Sequence, residues 1–542
     1  MDASVDVPMF DAAIDAPELD VPVDTMPMLR ECEGDATVTS RAELDALWGC
    51  TRIGGDLRIQ GAVGLDVAPL AFLETIDGSL ILSNTSLVGI ADLAALDSIG
   101  GDLHLEDNAQ LASVRGLDGI DAIPGDLRLD DNDALRDLRG LPVASIGGVL
   151  DVRNHRFLES FDGLGTVTSL AALRVEENGA LTSFGGLEAL ETVRGDVTIA
   201  GNLTLETLRG LDSLTSIDGD LELIRNWALT SIEGLTVLTT VGNGITLDRN
   251  GALESIEPLA RVEAVPGPLS LLDNSALRSL AGLDGLSELG GFVLEGSPLI
   301  ASLDGFPDVA ELDNLRLQEL DALSDIDALA SLRDIAGGLT IADCPSVSSV
   351  SALGGIARVG TDLALRNTGI TSLTGLGGLR GTLRSVTLVD NSALTSLAGI
   401  GPITFFGALV VERNDALTDL DGLPGVDAVW SMRIVENASL DSLVGLELVE
   451  RAQDVEIARN PELKSLMGLE ALGLISNDLS IEDNPELTTL GALGPIERIG
   501  RHLRVRNNAL LPMCEVGELV SRVVFIGGSV TAEGNTGTGG CP

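Results

Sequence analysis

The 542-residue sequence contains no tyrosine, three histidines and a single lysine, Lys464, so nearly all of its positive charge is arginine. Acidic residues outnumber basic ones by 83 to 33, and the formal net charge is −50. A basic surface for nucleic acid is therefore absent, and this acidity repels DNA, RNA and anionic lipid headgroups. No run of 18 or more apolar residues occurs, so we expect no transmembrane span.

Residues 1–31 lack the repeat that fills the rest of the chain. Asp recurs there every four or five positions between prolines, and Arg30 is the only base. Such a composition repels itself and stays extended, so we predict a disordered acidic tether. The tract resembles spacers that follow the lipid-anchor cysteine of bacterial surface lipoproteins, which implies a lipid anchor upstream. The chain as given shows no signal peptide; a removed signal, a start chosen too late and a cytoplasmic protein are the alternatives.

One motif recurs throughout the remainder. Residues 99–111 read I-G-G-D-L-H-L-E-D-N-A-Q-L, and residues 123–135 read I-P-G-D-L-R-L-D-D-N-D-A-L. Self-similarity at a fixed period of 23 or 24 residues, with a last step of 27, indicates a solenoid. The first apolar residue of each predicted strand falls at Leu57, Leu80, Leu103, Leu127, Leu150, Leu173, Val197, Leu221, Ile245, Leu269, Phe292, Leu315, Leu339, Leu363, Val386, Leu409, Met432, Val455, Leu479, Leu503 and Val530.

The apolar spacing within one coil predicts β structure. It is two within the strand, as at Leu103 and Leu105, which indicates a half-buried strand. It becomes three after the Asn, and Gly116 and its equivalents interrupt any helix, because interior glycine destabilises a helix by about 1 kcal/mol relative to alanine. We therefore predict an all-β fold, a right-handed β-solenoid of about 21 leucine-rich coils with small helical caps at both ends.

An Asn follows most of the predicted strands. An inward Asn at a corner can bond backbone groups that the turn leaves unpaired, and stacked Asn side chains can bond one another, so we predict a structural ladder. The ladder is missing at Gly296, Leu320 and Cys344, which predicts a bend or seam within 290–345. The predicted members are Asn84, Asn108, Asn132, Asn154, Asn178, Asn202, Asn226, Asn250, Asn274, Asn367, Asn391, Asn414, Asn437, Asn460, Asn484 and Asn508.

Coils with G-D-L-x-[ILV]-x-x-N followed by A-L-x-S-L-x-G-L resemble the receptor L-domain family. These leucine-rich β-helix modules occur in insulin- and EGF-receptor ectodomains, in fungal cell-wall proteins and as long arrays in bacterial secreted proteins. The resemblance covers about 50–535. It implies an extracellular recognition module with disulfide-closed ends. The chain is far longer than one such domain, and no ligand-contact residues carry over from the receptors.

Four of the five cysteines lie near the ends of the array. Ser40-x-x-Glu43 is a capping-box helix start between Cys32 and Cys50, and a second short helix is predicted at about 515–522, after Cys514. Twenty steps of about 4.8 Å separate the two ends by nearly 100 Å, whereas bridged Cα atoms lie within about 7 Å. We therefore predict Cys32–Cys50 and Cys514–Cys541 disulfides, with Cys344 buried and inert. The predicted units are a tether at 1–31, a cap at 32–52, the solenoid at 53–512 and a cap at 513–542.

Structural disulfides indicate an oxidising compartment, so we expect a secreted or outer-surface protein without a cofactor. The histidines fall on different coils, so we expect no metal site from them, although stacked acidic pairs such as Glu106-Asp107 and Asp130-Asp131 suit incidental Ca²⁺. Pectin-cleaving β-helices also use acidic clusters. The strand steps from Leu57 to Leu503 leave no insertion to wall a cleft, so we expect no enzyme activity.

A regular sheet more naturally presents a binding surface. The outward position between the two apolar residues of a strand carries Arg58, His104, Arg128 and Arg174, a basic stripe in an acidic chain. Either these residues bind a partner, or they pair with neighbouring acids such as Glu106 and Asp130. Trp227 is a second candidate contact. The sequence favours a recognition or adhesion protein that binds a protein or glycan; a rigid structural spacer and a polysaccharide-active enzyme are the alternatives.

Overall fold

A computed structural model describes residues 27–61, 64–423 and 425–539. Over these residues the chain winds into a right-handed, parallel β-solenoid of about 22 turns, with only 7% of residues in helices. The predicted fold class is confirmed. Residues 1–26 of the predicted tether lie outside the described residues, and Arg30 and Glu31, at its end, belong to the first strand.

One side of every described coil contributes a strand to a continuous parallel sheet, here called the long sheet. Its end strands pair on one side only, so the sheet has two edges. The strands are Ala36–Val38, Leu57–Gln60, Leu80–Ser83, Leu103–Glu106, Leu127–Asp130, Val149–Arg153, Ala172–Glu176, Val197–Ala200, Leu221–Ile224, Ile245–Asp248, Ala264–Leu272, Glu288–Glu295, Leu315–Gln318, Leu339–Cys344, Asp362–Thr368, Gly381–Val389, Ile403–Glu412, Val429–Val435, Asp454–Ala458, Leu479–Glu482, Leu503–Arg506 and Val530–Glu533.

The predicted register of the long sheet is confirmed. Leu57 pairs with Leu80, and each predicted apolar residue pairs with the next one along the chain up to Leu503 with Val530. The described coils number one more than predicted, because Ala36–Val38 forms an additional first strand against Leu57–Gln60. Its sequence, A-T-V, lacks the Leu pair and the Asn that mark the other strands.

A second side carries short strands, and the third side carries turns, isolated bridges and short 3₁₀ helices. The 3₁₀ helices are Ala68–Leu70, Ala91–Leu93, Glu257–Leu259, Asp327–Ser331 and Ser351–Gly355. The short strands are Arg30–Cys32, Cys50–Ile53, Thr75–Ile76, Ser98–Ile99, Ala122–Ile123, Ser145–Ile146, Ser169–Leu170, Thr192–Val193, Ser216–Ile217, Thr240–Val241, Glu311–Leu312, Asp334–Ile335, Arg358–Val359, Arg451–Ala452, Leu474–Ile475, Arg498–Ile499 and Phe525–Ile526.

The core is a column of Leu, Ile and Val enclosed by the three sides. Leu103, Leu105, Leu111, Val114 and Leu117 of one coil are all fully buried, at the predicted spacings of two and then three. Each coil therefore buries its apolar face only together with its neighbours, which makes stacking the source of stability.

A helix occupies each terminal coil, as predicted. Helix α1 (Arg41–Asp45) begins at Ser40, whose hydroxyl accepts from the Glu43 amide, while the Glu43 carboxylate accepts from the Thr39 amide at 2.7 Å. Helix α2 (Met513–Arg522) buries Val516 and Leu519. None of the helices in the described ranges is both long enough and apolar enough to cross a membrane.

The predicted Cys32–Cys50 disulfide is confirmed, with the two Cα atoms 5.8 Å apart. Cys344 is free and buried, as predicted, and burial raises the pKa of its thiol to about 12. Cys514 is disulfide-bonded. Its predicted partner, Cys541, lies outside the described residues.

The Asn ladder holds the corner after most of the described long strands. The Asn250 side-chain amide donates to the Leu223 carbonyl of the preceding coil at 2.8 Å, and its Oδ1 accepts from the Asn226 amide at 3.1 Å. The Asn250 amide in turn donates to Asn274 Oδ1 at 3.1 Å. The same pattern extends to Asn535, which sequence reasoning missed although it follows Val530 at the same offset as Asn508 follows Leu503.

Three predicted ladder members are wrong by one residue: Asn84, Asn154 and Asn367 are exposed, with φ between +45° and +57°. The ladder positions beside them are held by the buried side chains of Thr85, His155 and Thr368. The Thr85 amide donates to Asn108 Oδ1 at 3.1 Å, and the His155 amide donates to Asn178 Oδ1 at 3.2 Å.

The long-sheet pairing continues through 290–345, where the Asn ladder is interrupted. The residues in ladder register there are Ser297, Leu320 and Cys344, all fully buried. The predicted gap at Gly296 is wrong by one residue, because Gly296, with φ +63°, stands one position before the ladder. The Leu320 amide donates directly to the Asp343 carbonyl at 3.1 Å, so backbone replaces the missing Asn. The register therefore passes through the predicted seam without a break.

A left-handed backbone residue precedes every ladder position in the described coils. All 17 non-glycine residues with positive φ occupy this one position, here called the corner column. Asp131 and Glu177, at φ +53° and +56°, belong to it. Most of its side chains are charged or amide-bearing, and Asn and Asp tolerate this conformation best.

Candidate functional site

The outer face of the long sheet is the largest regular surface of the molecule. In each strand the two apolar residues point inward, and the residues before, between and after them point outward. In the fourth coil, for example, Leu103 and Leu105 are buried, while His104 and Glu106 are half-buried.

An Asp ladder that sequence reasoning missed borders this face. It consists of the Asp in the G-G-D motif, whose carboxylate accepts from the backbone amide at the same position in the next coil. Asp102 Oδ1 accepts from Asp126 at 2.9 Å, and Asp126 Oδ1 accepts from Val149 at 2.8 Å. The glycines leave room for this, because a Cβ at Gly125 would lie 1.9 Å from Asp102 Oδ1. The repeated G-D pair was the sequence signal that could have revealed the Asp ladder.

The predicted basic stripe is brought together, because Arg58, His104, Arg128 and Arg174 lie in one column of the outer face. Each of them faces acids, as the second interpretation predicted. Arg58 pairs with Asp56 at 2.9 Å, Arg128 with Asp151 at 3.3 Å, and Arg174 with Glu176 at 3.7 Å.

His104 lies 3.9 Å from both Asp102 and Glu106. The stripe is thus a set of half-exposed side chains whose charges are balanced by neighbouring acids. It does not form a free basic surface, so it is a weaker candidate site than the sequence indicated.

Trp227 lies away from the stripe, at a corner two coils beyond Arg174. It follows the ladder residue Asn226, and 54% of its surface is exposed. Leu203, in the same position one coil earlier, is 58% exposed. Trp227 packs over Gly251, since a Cβ there would lie 3.8 Å from the indole ring. Trp227 and Leu203 are thus exposed apolar residues at this corner, separate from the stripe.

The acidic pairs divide between two surfaces. Glu106 and Asp130 point outward from the long sheet, whereas Asp107 and Asp131 stand in the corner column. Burial raises the pKa of Asp131, and its neighbours Asp133, Asp107 and Asp130 raise it further, so carboxylates are crowded here.

The middle of the outer face contains a depression of about 530 Å³ between strands Leu315–Gln318 and Gly381–Val389. Its floor includes Ala342, Ala364 and Thr387, which are only 4%, 8% and 6% exposed. All the lining residues belong to four neighbouring strands, so the depression is open to solvent and no loop encloses it.

Three arginines surround this central depression. Arg316 pairs with Glu295 at 3.3 Å, and Arg384 pairs with Asp362 at 2.8 Å. Arg366 is exposed, and among the described residues its guanidinium forms no close ion pair. Arg413 lowers the pKa of Asp390, and the charge of Arg366 lowers it further. The sequence signal was the change of the outward residues from charged to small, at Thr340, Ala364 and Thr387, which the search for basic residues overlooked.

The chain matches no known protein-family model.

Proposed function

We propose that the protein is a non-enzymatic recognition or adhesion protein, exposed at the cell surface or secreted, that binds a protein or glycan on the outer face of the long sheet. The observation that carries this proposal is the central depression, where small side chains and the exposed Arg366 replace the close ion pairs of the basic stripe. The net charge of −50 repels acidic partners from most of the surface. A neutral or weakly acidic partner therefore approaches most readily at the central depression.

Catalysis is disfavoured by the same geometry. A depression lined only by strand residues does not exclude water, and enzymes depend on such exclusion to strengthen electrostatic interactions. The Cys32–Cys50 disulfide supports an oxidising compartment, and hence secretion or surface exposure. The receptor L-domain resemblance agrees with this proposal.

The test begins by screening the full chain against glycan and envelope-protein panels. For each partner found, Thr387→Trp fills the floor of the depression and Arg366→Ala removes its exposed cation. Thr246→Trp is the matched control, because Thr246 occupies the same outward column six coils from Thr387. We expect Thr387→Trp and Arg366→Ala to weaken binding at least about tenfold and Thr246→Trp to leave it unchanged.

Equal binding by all three variants would contradict the central depression as the site. A parallel variant with Arg58, Arg128 and Arg174 changed to Ala then tests the stripe, and Trp227→Ala tests the corner. The rigid-spacer function is favoured if no partner binds the outer face and the protein still spans about 100 Å, as 21 steps of about 4.8 Å require.

A further inference from the structure

Two successive members of the Asp ladder flank a histidine on the outer face of the long sheet. One ring nitrogen of His104 and one carboxylate oxygen each from Asp102 and Asp126 all lie within 4.8 Å of one another. His104 stands two residues after Asp102 in the same strand region, and Asp126 is the equivalent of Asp102 in the next coil. In the described part of the chain, no other group of three acidic, His or Cys side chains comes this close.

The backbone holds both carboxylates in place. Asp102 Oδ1 accepts from the Asp126 amide at 2.9 Å, and Asp126 Oδ1 accepts from the Val149 amide at 2.8 Å. The second oxygen of Asp102, Oδ2, accepts a long hydrogen bond of 3.5 Å from the Ser79 hydroxyl and lies 3.9 Å from His104 Nε2. Metal-binding carboxylates are commonly fixed by a hydrogen bond of this kind.

The His104 ring supplies an independent observation. Its Nε2 atom is buried and, among the described residues, has no hydrogen-bond partner, although it lies 3.9 Å from Asp102 Oδ2. Its other nitrogen, Nδ1, lies 3.9 Å from Glu106 Oε1. A buried nitrogen without a partner is unfavourable, and a metal ion between it and the two carboxylates would satisfy it. Glu106 would then orient the ring from the other side, as carboxylates do for metal-bound histidines.

We propose that Asp102, His104 and Asp126 bind one divalent transition-metal ion of the Mn²⁺ to Zn²⁺ series. One imidazole and two carboxylates suit such an ion, whereas Ca²⁺ takes oxygen ligands alone. Ligand atoms within 4.8 Å of one another reach metal distances of about 2.1 Å by moving inward about 0.7 Å each. Three protein ligands leave at least one position for water or for an oxygen atom of a partner. The site does not depend on the central depression.

The experiment uses Zn²⁺ as the probe. The full chain is stripped with a chelator and titrated with ZnCl₂ at pH 7.5 by calorimetry. We expect one saturable site. His104→Gln and Asp126→Asn should each weaken it at least about tenfold, because each removes a ligand. Asp478→Asn and His502→Gln are the matched controls: Asp478 belongs to the same Asp ladder and accepts from the His502 backbone amide at 2.9 Å, but Ser480 stands where His104 would be.

A spectroscopic readout separates a metal site from a structural role. Cu²⁺ added to the stripped protein should show nitrogen coupling in its electron paramagnetic resonance spectrum, and His104→Gln should abolish it while His502→Gln should not. Equal melting temperatures of the metal-free variants show that the fold is intact. The proposal is overturned if Zn²⁺ binds only weakly at many sites, or if His104→Gln binds Zn²⁺ as the unmodified chain does; His104 is then simply an ion-pair partner of Asp102 and Glu106.

Discussion

At the residue scale, two adjacent positions in each coil both favour asparagine, for different physical reasons. The corner column requires a positive φ, which Asn tolerates, and the ladder position requires an inward amide. Asn84 fills the first position and Asn108 fills the second, although both follow a strand in the sequence.

Two variants, Asn84→Gly and Asn108→Gly, test this difference because each makes the same change at one of the two positions. Asn108 donates to the Leu82 carbonyl at 2.9 Å and accepts from the Thr85 amide at 3.1 Å, so its loss strands two buried groups at about 1–3 kcal/mol each. Glycine at Asn84, where φ is +52°, should change the free energy of unfolding by less than about 0.5 kcal/mol. Urea unfolding midpoints measure both, and equal losses would contradict the assigned register.

His155 is the one histidine in the ladder of the described coils. Its Nδ1 donates to the Arg153 carbonyl at 2.5 Å, and burial lowers the pKa of the imidazole to about 4, from 6.5. As the pH falls, the unfolded chain binds the proton first, so stability is lost from about pH 6.5 down to about pH 4. The full window corresponds to about 3 kcal/mol.

His155→Asn should remove this pH dependence, because Asn restores the ladder residue without a titrating group. Between pH 7 and pH 5 the unmodified chain should lose about 2 kcal/mol relative to the variant. His502→Asn, on the surface, is the control and should behave as the unmodified chain does. A variant that loses as much stability as the parent over this range would show that His155 is not the cause.

At the scale of elements, the terminal coils differ from the rest by their helices and cysteines. The Cys32–Cys50 disulfide spans 18 residues, and closing a loop of this size stabilises by about 3 kcal/mol. Reduction should therefore loosen the first coil and leave the middle coils folded. Proteolysis with and without reductant, followed by mass spectrometry, would locate the first cleavages; cleavage in mid-array would contradict a local role.

Cys344 should not react with thiol reagents in the folded protein. It is fully buried, and its thiol pKa is raised to about 12, so almost no thiolate exists at neutral pH. Mass spectrometry after labelling should show Cys344 modified only when the protein is unfolded in denaturant. Labelling of Cys344 under native conditions would indicate that the irregular ladder around Leu320 opens.

The repeat made most elements predictable, because the position of one apolar residue determined the register of each strand. Ala36–Val38 could not be predicted this way, since it lacks the motif and is recognised only by its pairing with Leu57–Gln60. The candidate site was harder still. Whether Arg58 is free depends on where Asp56 places its carboxylate, and a depression such as that over Ala364 arises from side chains on four coils.

At the scale of the whole molecule, the two sheet edges set the order of unfolding. Val530, in the last long strand, is 44% exposed, whereas its partner Leu503 is fully buried. Coils in the middle have neighbours on both sides, so their opening requires breaking two interfaces.

Hydrogen exchange should therefore be fastest in the coil that contains Val530–Glu533 and slowest near Leu221–Asp248. The unpaired edge of the last strand exposes backbone groups, and its apolar contacts are incomplete. Exchange followed by mass spectrometry over peptides of the whole chain measures the gradient. Uniform protection would mean that the array opens as one cooperative unit.

The constant register also determines how the array changes in length. Removal of residues 245–268, one complete coil, would bring Leu221 beside Leu269 and Asn226 beside Asn274, each a pairing of residue types that the array already contains. Duplication of the same coil would likewise create no new kind of interface. Recombination within the gene can therefore lengthen or shorten the protein in increments of about 4.8 Å while every remaining coil keeps its neighbours' geometry.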